Sequence, residues 1–483
     1  MQAKVFKNTS VYIFIGFLPV AANFLLAPIY TQYLKPEAYA LIGVATLFQT
    51  FLTFFLSLSL DGAFGRLFFD FEKKGKLKHA LLSTILLSIV FITGVVFLLL
   101  GLTGDYLFSL LFKNDSFRFS NLGVWVQGTT VANVLFLFFA ILYRNEGRIT
   151  AFVIVNLLFF FIPVAGTLAG LIFFGGAPAA IIGRAIGSIT VVVVLLLFYF
   201  VRHKPLFKLD YLKKCLRYSL PLVPYQLMFA AFSNIDRIFL ERSFLPHAFG
   251  VYTFAIMVTG VIPIYLNALT NATSPTIYRE LTNGKNFGLV KNYNTAIVLS
   301  TLGIICLSMA GIVPAMRVFI NAEYADSYPY IAALFLSFLP YVHYLVYCTP
   351  LFYHGNTKAF PVISFFALVA GILFNYFFIP ILGIWAVCLS LYIIRIVQML
   401  GAYVFVKRYQ YQGLRYIEQK KELLLSLGIF VIYNVMLLVN TKLKIVSEDF
   451  INLIPLGVFI LACATFYNKE VKELQIALFK KKK

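Results

Sequence analysis

Stretches of about 20 apolar residues follow one another from end to end of this chain, each closed by a short polar break. A helix rises ~1.5 Å per residue, so each stretch is long enough to cross a hydrocarbon core of ~30 Å. In lipid every backbone N–H and C=O must find its partner within the protein, which leaves helices or a closed β-barrel. The stretches are continuous, with no alternation of polar and apolar positions, and that excludes the barrel. With 61% of 483 residues hydrophobic and only 12% charged, the chain also holds more apolar material than a soluble core hides. The expected fold class is an all-α integral membrane protein with about fourteen transmembrane helices.

Spans are expected near Thr9–Tyr33, Tyr39–Gly65, His79–Leu102, Leu122–Tyr143, Ile149–Phe174 and Ala177–Val201. The second set lies near Tyr218–Leu240, Phe249–Asn271, Thr295–Met316, Tyr330–Phe352, Ala359–Ile379 and Gly383–Val406. Two more, Leu423–Val439 and Phe450–Tyr467, follow the basic stretch Lys407–Lys421. Four regions result: an N-terminal six-helix lobe at 1–201, a cytoplasmic basic linker at 202–217, a C-terminal six-helix lobe at 218–406, and the last two spans with a basic tail at 407–483. The first span is too long for a signal-peptide core and no small-residue cleavage site follows it.

Charge orients the bundle. Of forty Lys and Arg, thirty fall in loops on the amino-terminal side, seven in the opposite loops and three inside spans. The positive-inside rule then places both termini in the cytoplasm. The net charge of +21 has the same origin, since these loops face anionic lipid head groups, and a nucleic-acid partner is not expected. Five scattered cysteines without a CxxC pair indicate neither a disulfide framework nor a metal site.

The chain also repeats itself. Pro36-Glu-Ala-Tyr-Ala40 lies against Pro246-His-Ala-Phe-Gly250 at an offset of 210 residues. Asp61 meets Asn271, Tyr143 meets Tyr353 and Arg148 meets Lys358 at the same offset, and Arg184 meets Arg395 at 211. Six spans per copy give both copies the same orientation, so a pseudo-two-fold along the membrane normal is expected.

Charges within spans are costly, and each is a functional hypothesis. Arg395 lies about twelve residues, ~18 Å, into its span, and Arg184 about eight residues, ~12 Å. Asp236 and Arg237 sit within about one turn of the end of theirs. Asp61 and Arg66 close the second span, and His343 is a lone titratable group in the tenth.

Leu60-Asp-Gly-Ala-Phe-Gly-Arg-Leu-Phe-Phe69, Asn234-Ile-Asp-Arg237 and Gly250-Val-Tyr252 resemble the polysaccharide-transport branch of the multidrug/oligosaccharidyl-lipid/polysaccharide exporter superfamily. The resemblance covers the first twelve spans and is moderately specific. It implies two pseudo-symmetric lobes around a central cavity that opens alternately to the two faces of a bacterial cytoplasmic (inner) membrane. The implied cargo is a sugar unit on a polyprenyl pyrophosphate, whose polar head will not cross hydrocarbon unaided. Arg395, Arg184, Arg237 and Arg66 are then the candidates to bind pyrophosphate, because a guanidinium offers forked donors to phosphate oxygens. Asp236, Asp61 and His343 are the candidates for coupling or gating. Few acids share the depth of Arg184 and Arg395, so the substrate is expected to be their partner. No cofactor and no metal are implied, and coupling to a proton or sodium gradient stays open. Expected partners are the lipid-linked oligosaccharide, membrane lipids and other membrane proteins of polysaccharide assembly.

Two other classes compete. A cation-coupled multidrug exporter of the same superfamily usually carries an acid in the first span, whereas Val11 to Tyr33 holds no charge. A membrane glycan polymerase or glycosyltransferase needs acids or histidines gathered in an outer loop. The longest such loop, about Thr103 to Asn121, offers only Asp105 and Asp115.

Overall fold

The computed structural model describes residues 15, 18, 22, 26–72, 77–112, 117–243, 246–283, 287–354, 356, 358–409, 419–443 and 448–467. The chain divides into two compact units, Met1–Phe254 and Ala255–Lys483. The first holds α1 (Pro36–Ser57), α2 (Leu60–Glu72), α3 (Leu77–Leu111), α4 (Val124–Asn145), α5 (Ile149–Ala169), α6 (Gly176–Arg202), α7 (Leu209–Ser219) and α8 (Val223–Ser243). The division falls within α9 (Pro246–Thr259). The second holds α10 (Val261–Asn283), α11 (Phe287–Leu307), α12 (Val313–Phe319), α13 (Tyr328–Leu336), α14 (Phe338–Tyr353), α15 (Ala359–Leu382), α16 (Ile384–Arg408), α17 (Lys420–Leu443) and α18 (Glu448–Phe466).

Among the described residues, eleven helical runs are long and apolar enough to cross a membrane, and Phe450–Thr465 is a shorter apolar helix. The expected first span falls largely outside the described residues. The expected seventh is α8, whose Asp236, Arg237, Glu241 and Arg242 lower its hydropathy below that of the others. Burial follows lipid exposure. Only 22% of the most apolar window of Lys78–Leu110 is buried against 78% for Ala322–Tyr353, so α3 faces lipid while α13 and α14 are central within their unit.

The repeat is visible in where helices begin. Pro36 and Pro246, Leu77 and Phe287, and Ile149 and Ala359 open α1 and α9, α3 and α11, and α5 and α15, each pair 210 residues apart. The copied motifs also touch. A Cβ on Gly250 would stand 1.7 Å from the carbonyl oxygen of Pro36, so the α9 backbone lies directly on the start of α1. Tyr39 meets Phe254 edge-on at 6.0 Å, and Gly43 faces Phe249 and Thr253.

Three departures from the expected spans have physical causes. The second span is broken, because Leu58 and Ser59 both hold a left-handed conformation (φ 44° and 57°) between α1 and α2. The Ser59 hydroxyl bonds the Gln226 side chain of α8 at 2.6 Å, a tertiary partner no local pattern announces. Helix α3 runs on to Leu111, past the expected end at Leu102, and the polar Thr103 and Ser109 in the added turns have their hydroxyls satisfied by the carbonyls of Leu99 and Tyr106. The basic connector contains α7, whose Cys215 and Ser219 are buried while Lys213, Lys214 and Arg217 are exposed.

Candidate functional site: a cavity in the first unit

Six helices of the first unit, with Ala22 and Leu26 before them, line a cavity of about 410 Å³. Gln49, Thr53 and Ser57 face it from α1, Asp61 from α2, Asn133 from α4, Thr167 from α5, and Arg184 and Ser188 from α6, with Gln226 added from α8. Its volume lies in the range of small-molecule sites, about 300–1,000 Å³. Most of the wall is apolar, with Phe54, Phe136, Phe159 and Phe160 its largest side chains.

The sequence holds these walls in place through small residues and a proline. A Cβ on Gly166 would stand 2.3 Å from the carbonyl oxygen of Gly183, so α5 and α6 touch backbone to backbone. That contact fixes the depth of Arg184, the next residue. Pro163 within α5 has no N–H to give the carbonyl of Phe159, which leaves a backbone acceptor at a cavity residue.

Arg184 is held. The buried Tyr30 hydroxyl shares hydrogen bonds with Arg184 and Thr167. Arg184, which has only N–H donors, donates to the Tyr30 oxygen, and Thr167 gives its own proton to the carbonyl of Pro163 at 2.8 Å. A neutral phenol orients the guanidinium without cancelling its charge. The cavity thus carries one fixed cation, one carboxylate at Asp61, and a set of neutral amides and hydroxyls suited to sugar oxygens.

The other sequence candidates are placed elsewhere. Arg395 on α16 lies with its guanidinium 3.6 Å from the Phe338 ring centroid and 5.6 Å from that of Tyr341, and it donates to the Ser337 hydroxyl. Desolvated cation–π contacts of this kind contribute about 2 kcal/mol, so Arg395 has protein partners where a substrate partner was expected. Asp236 is fully buried and accepts a 2.5 Å hydrogen bond from Tyr252, which joins α8 to α9. Arg237 is half-buried, and its buried Nε has no hydrogen-bond partner among the described residues. Arg66 is exposed and stacks at 5.0 Å on Tyr218 of α7. His343 is fully buried between Gln419 (2.7 Å) and Ser426 (2.9 Å), where it joins α14 to α17. Among the seven candidates, only Arg184 and Asp61 line the described cavity.

Sequence reasoning missed Tyr30, Gln49, Asn133 and Gln226. A list of uncharged polar residues within apolar spans contains all four. It also contains many that only bond their own helix, such as Thr46, Thr50 and Asn156.

Comparisons with known proteins agree on the fold. The pattern of the family described as "Polysaccharide biosynthesis protein" matches residues 5–280, more than half of the chain. No curated protein sequence matches it. Among solved structures, the lipid II flippase MurJ in an inward closed conformation has a TM-score of 0.68 at 17% identity, covering 96% of this chain and 99% of its own. An inward-facing multidrug resistance MATE family transporter of the MOP superfamily has a TM-score of 0.57 at 15% identity, covering 85% and 99%. A MOP superfamily transporter from Pyrococcus furiosus, described as having a binding pocket of reverse polarity, has a TM-score of 0.57 at 16% identity, covering 83% and 94%. At these identities the likeness shows the fold.

Proposed function

This chain belongs to the polysaccharide biosynthesis protein family, in the polysaccharide branch of the MOP superfamily, and from that premise we propose a flippase for polyprenyl-pyrophosphate-linked oligosaccharides. The repeat units would pass from the cytoplasmic to the periplasmic leaflet of a bacterial inner membrane, with both termini cytoplasmic, to supply O-antigen or capsule assembly. One observation carries the reading: Arg184 stands in the wall of a mainly apolar cavity that also presents amides and hydroxyls, oriented by Tyr30 and Thr167. A guanidinium so held meets a pyrophosphate through forked N–H donors, and the Gln49, Asn133 and Gln226 amides suit sugar hydroxyls. The polyprenyl tail stays in lipid, so the cavity need only accept the head.

Transport follows if the cavity is exposed to one membrane face and then the other, with bound anion favouring the state that encloses it. A ligand shifts such an equilibrium only by its difference in affinity for the two states. The second reading, a cation-coupled exporter, draws on Asp61 in the same cavity. Arg184 in the same wall opposes it, because a fixed cation repels a cationic drug placed beside it.

The test is made in cells that lack their own O-antigen or capsule flippase. Expression of this chain should restore glycan at the cell surface and remove lipid-linked units from the cytoplasmic leaflet. Drug resistance without restored glycan would establish the exporter instead.

A further inference from the structure

Between α6 and α7 the chain runs as an extended strap, residues 203–208, across the side of α3. Polar side chains set inside an apolar span hold it there. Ser83, 1% exposed, accepts from the Leu206 N–H at 2.8 Å. Thr84, fully buried, accepts from the Lys208 N–H at 3.2 Å, and its hydroxyl lies 3.3 Å from the Leu206 carbonyl. Two strap N–H groups, those of Leu206 and Lys208, are thus satisfied by α3 side chains, in a region where unpaired peptide groups are costly.

Its depth can be read from α3. The apolar run Lys78–Leu110 has 33 residues and is about 50 Å long, some 20 Å more than a hydrocarbon core of ~30 Å. Centred on the bilayer, the core begins about 10 Å along the run, close to Ser83 and Thr84. With α3 so centred, the strap would lie at the boundary between head groups and acyl chains.

What it presents there is both apolar and basic. Leu206, Phe207 and the following Leu209 are 42%, 51% and 53% exposed, far more than a water-facing segment gains from such residues. Lys204 and Lys208 flank them and are exposed, with Lys208 standing 5.2 Å over the Tyr211 ring. Long basic stems with apolar neighbours place the charge at head-group level and the rest in the acyl layer.

We infer that residues 204–209 form a docking element for anionic phospholipid. Leu206, Phe207 and Leu209 enter the acyl layer, and Lys204 and Lys208 hold the phosphate of a negatively charged head group. The strap continues directly from α6, so the lipid anchors the end of the helix that carries Arg184.

The experiment reconstitutes full-length protein in phosphatidylcholine vesicles with a minor fraction of phosphatidylglycerol. The probe is the emission added by Phe207→Trp over that of the parent chain. Phosphatidylglycerol brominated on its acyl chains should quench that emission several-fold more strongly than brominated phosphatidylcholine at equal mole fraction. Each basic residue contributes a factor of roughly five near an anionic surface. Lys204→Gln with Lys208→Gln should therefore abolish the preference while keeping the quenching by phosphatidylcholine. Added salt should weaken the preference in the unaltered strap. Equal quenching by the two lipids with both lysines present would overturn head-group recognition, and no quenching by either would place the strap in water. Ser83→Ala with Thr84→Val should release the strap, shifting the added emission to longer wavelength, and an unchanged emission would also contradict the proposal.

Discussion

Replacing Arg184 by alanine is expected to lower glycan export by a factor of ~10² or more, while the amount of protein in the membrane stays the same. Removing one partner from a desolvated, hydrogen-bonded charge pair costs about 3 kcal/mol or more, which converts to that factor in rate. Stability should change little, because an arginine on an apolar span is itself unfavourable by about 2.5–3.5 kcal/mol. Lysine should restore export only in part, since an ammonium keeps the charge and loses the planar fork. Tyr30→Phe should fall between the parent and Arg184→Lys, because the guanidinium keeps its charge and loses the phenol that orients it. Export assays combined with immunoblots of membrane fractions check each variant. Arg395→Ala is the informative contrast. Its stacking on Phe338 and its bond to Ser337 mean that it should lower thermal stability by about 2 kcal/mol before it touches transport.

Gly250→Val is expected to leave almost no folded protein. Even the first carbon of a side chain would lie 1.7 Å from the Pro36 carbonyl oxygen, and a backbone atom at the start of a helix has nowhere to go. Overpacking commonly costs about 1–3 kcal/mol, and a clash with backbone lies at or beyond the upper end. Gly43→Ala makes the comparison. Its nearest obstacles are the Thr253 hydroxyl at 2.6 Å and the Phe249 ring at 2.9 Å, side chains that can turn aside. It should fold with reduced stability. Size-exclusion profiles in detergent separate the two outcomes, and a monodisperse Gly250→Val protein would contradict the α1–α9 contact.

What was legible in the chain was whatever the bilayer dictates. Apolar length set the helices, and the offset of 210 residues reappears in the first residues of α1 and α9, α3 and α11, and α5 and α15. Arg184 and Asp61 stood out because charge in a span is conspicuous, and both line the cavity. The break at Leu58 and Ser59 was not legible, because neither residue type prefers positive φ and its anchor, Gln226, is 167 residues away from Ser59. The neutral cavity groups were hidden for a similar reason. Gln49 and Asn133 look like any polar residue tolerated in a helix until α1 and α4 converge. Arg395 and His343 show what charge or titratability in a span does not reveal. Neither sequence position names its neighbours, which are Phe338 and Ser337 for one and Gln419 and Ser426 for the other.

Movement of the head group itself is the direct measurement. Purified protein is placed in proteoliposomes with a fluorescent polyprenyl-pyrophosphate disaccharide in both leaflets, and a membrane-impermeant reductant bleaches the label it reaches. The parent protein should bring the inner-leaflet label into reach. Arg184→Ala should leave it protected, and a polyprenol disaccharide without phosphates should stay protected with either protein. Equal bleaching with Arg184→Ala, or equal movement of the uncharged lipid, would contradict an anion site at Arg184 as the basis of transport.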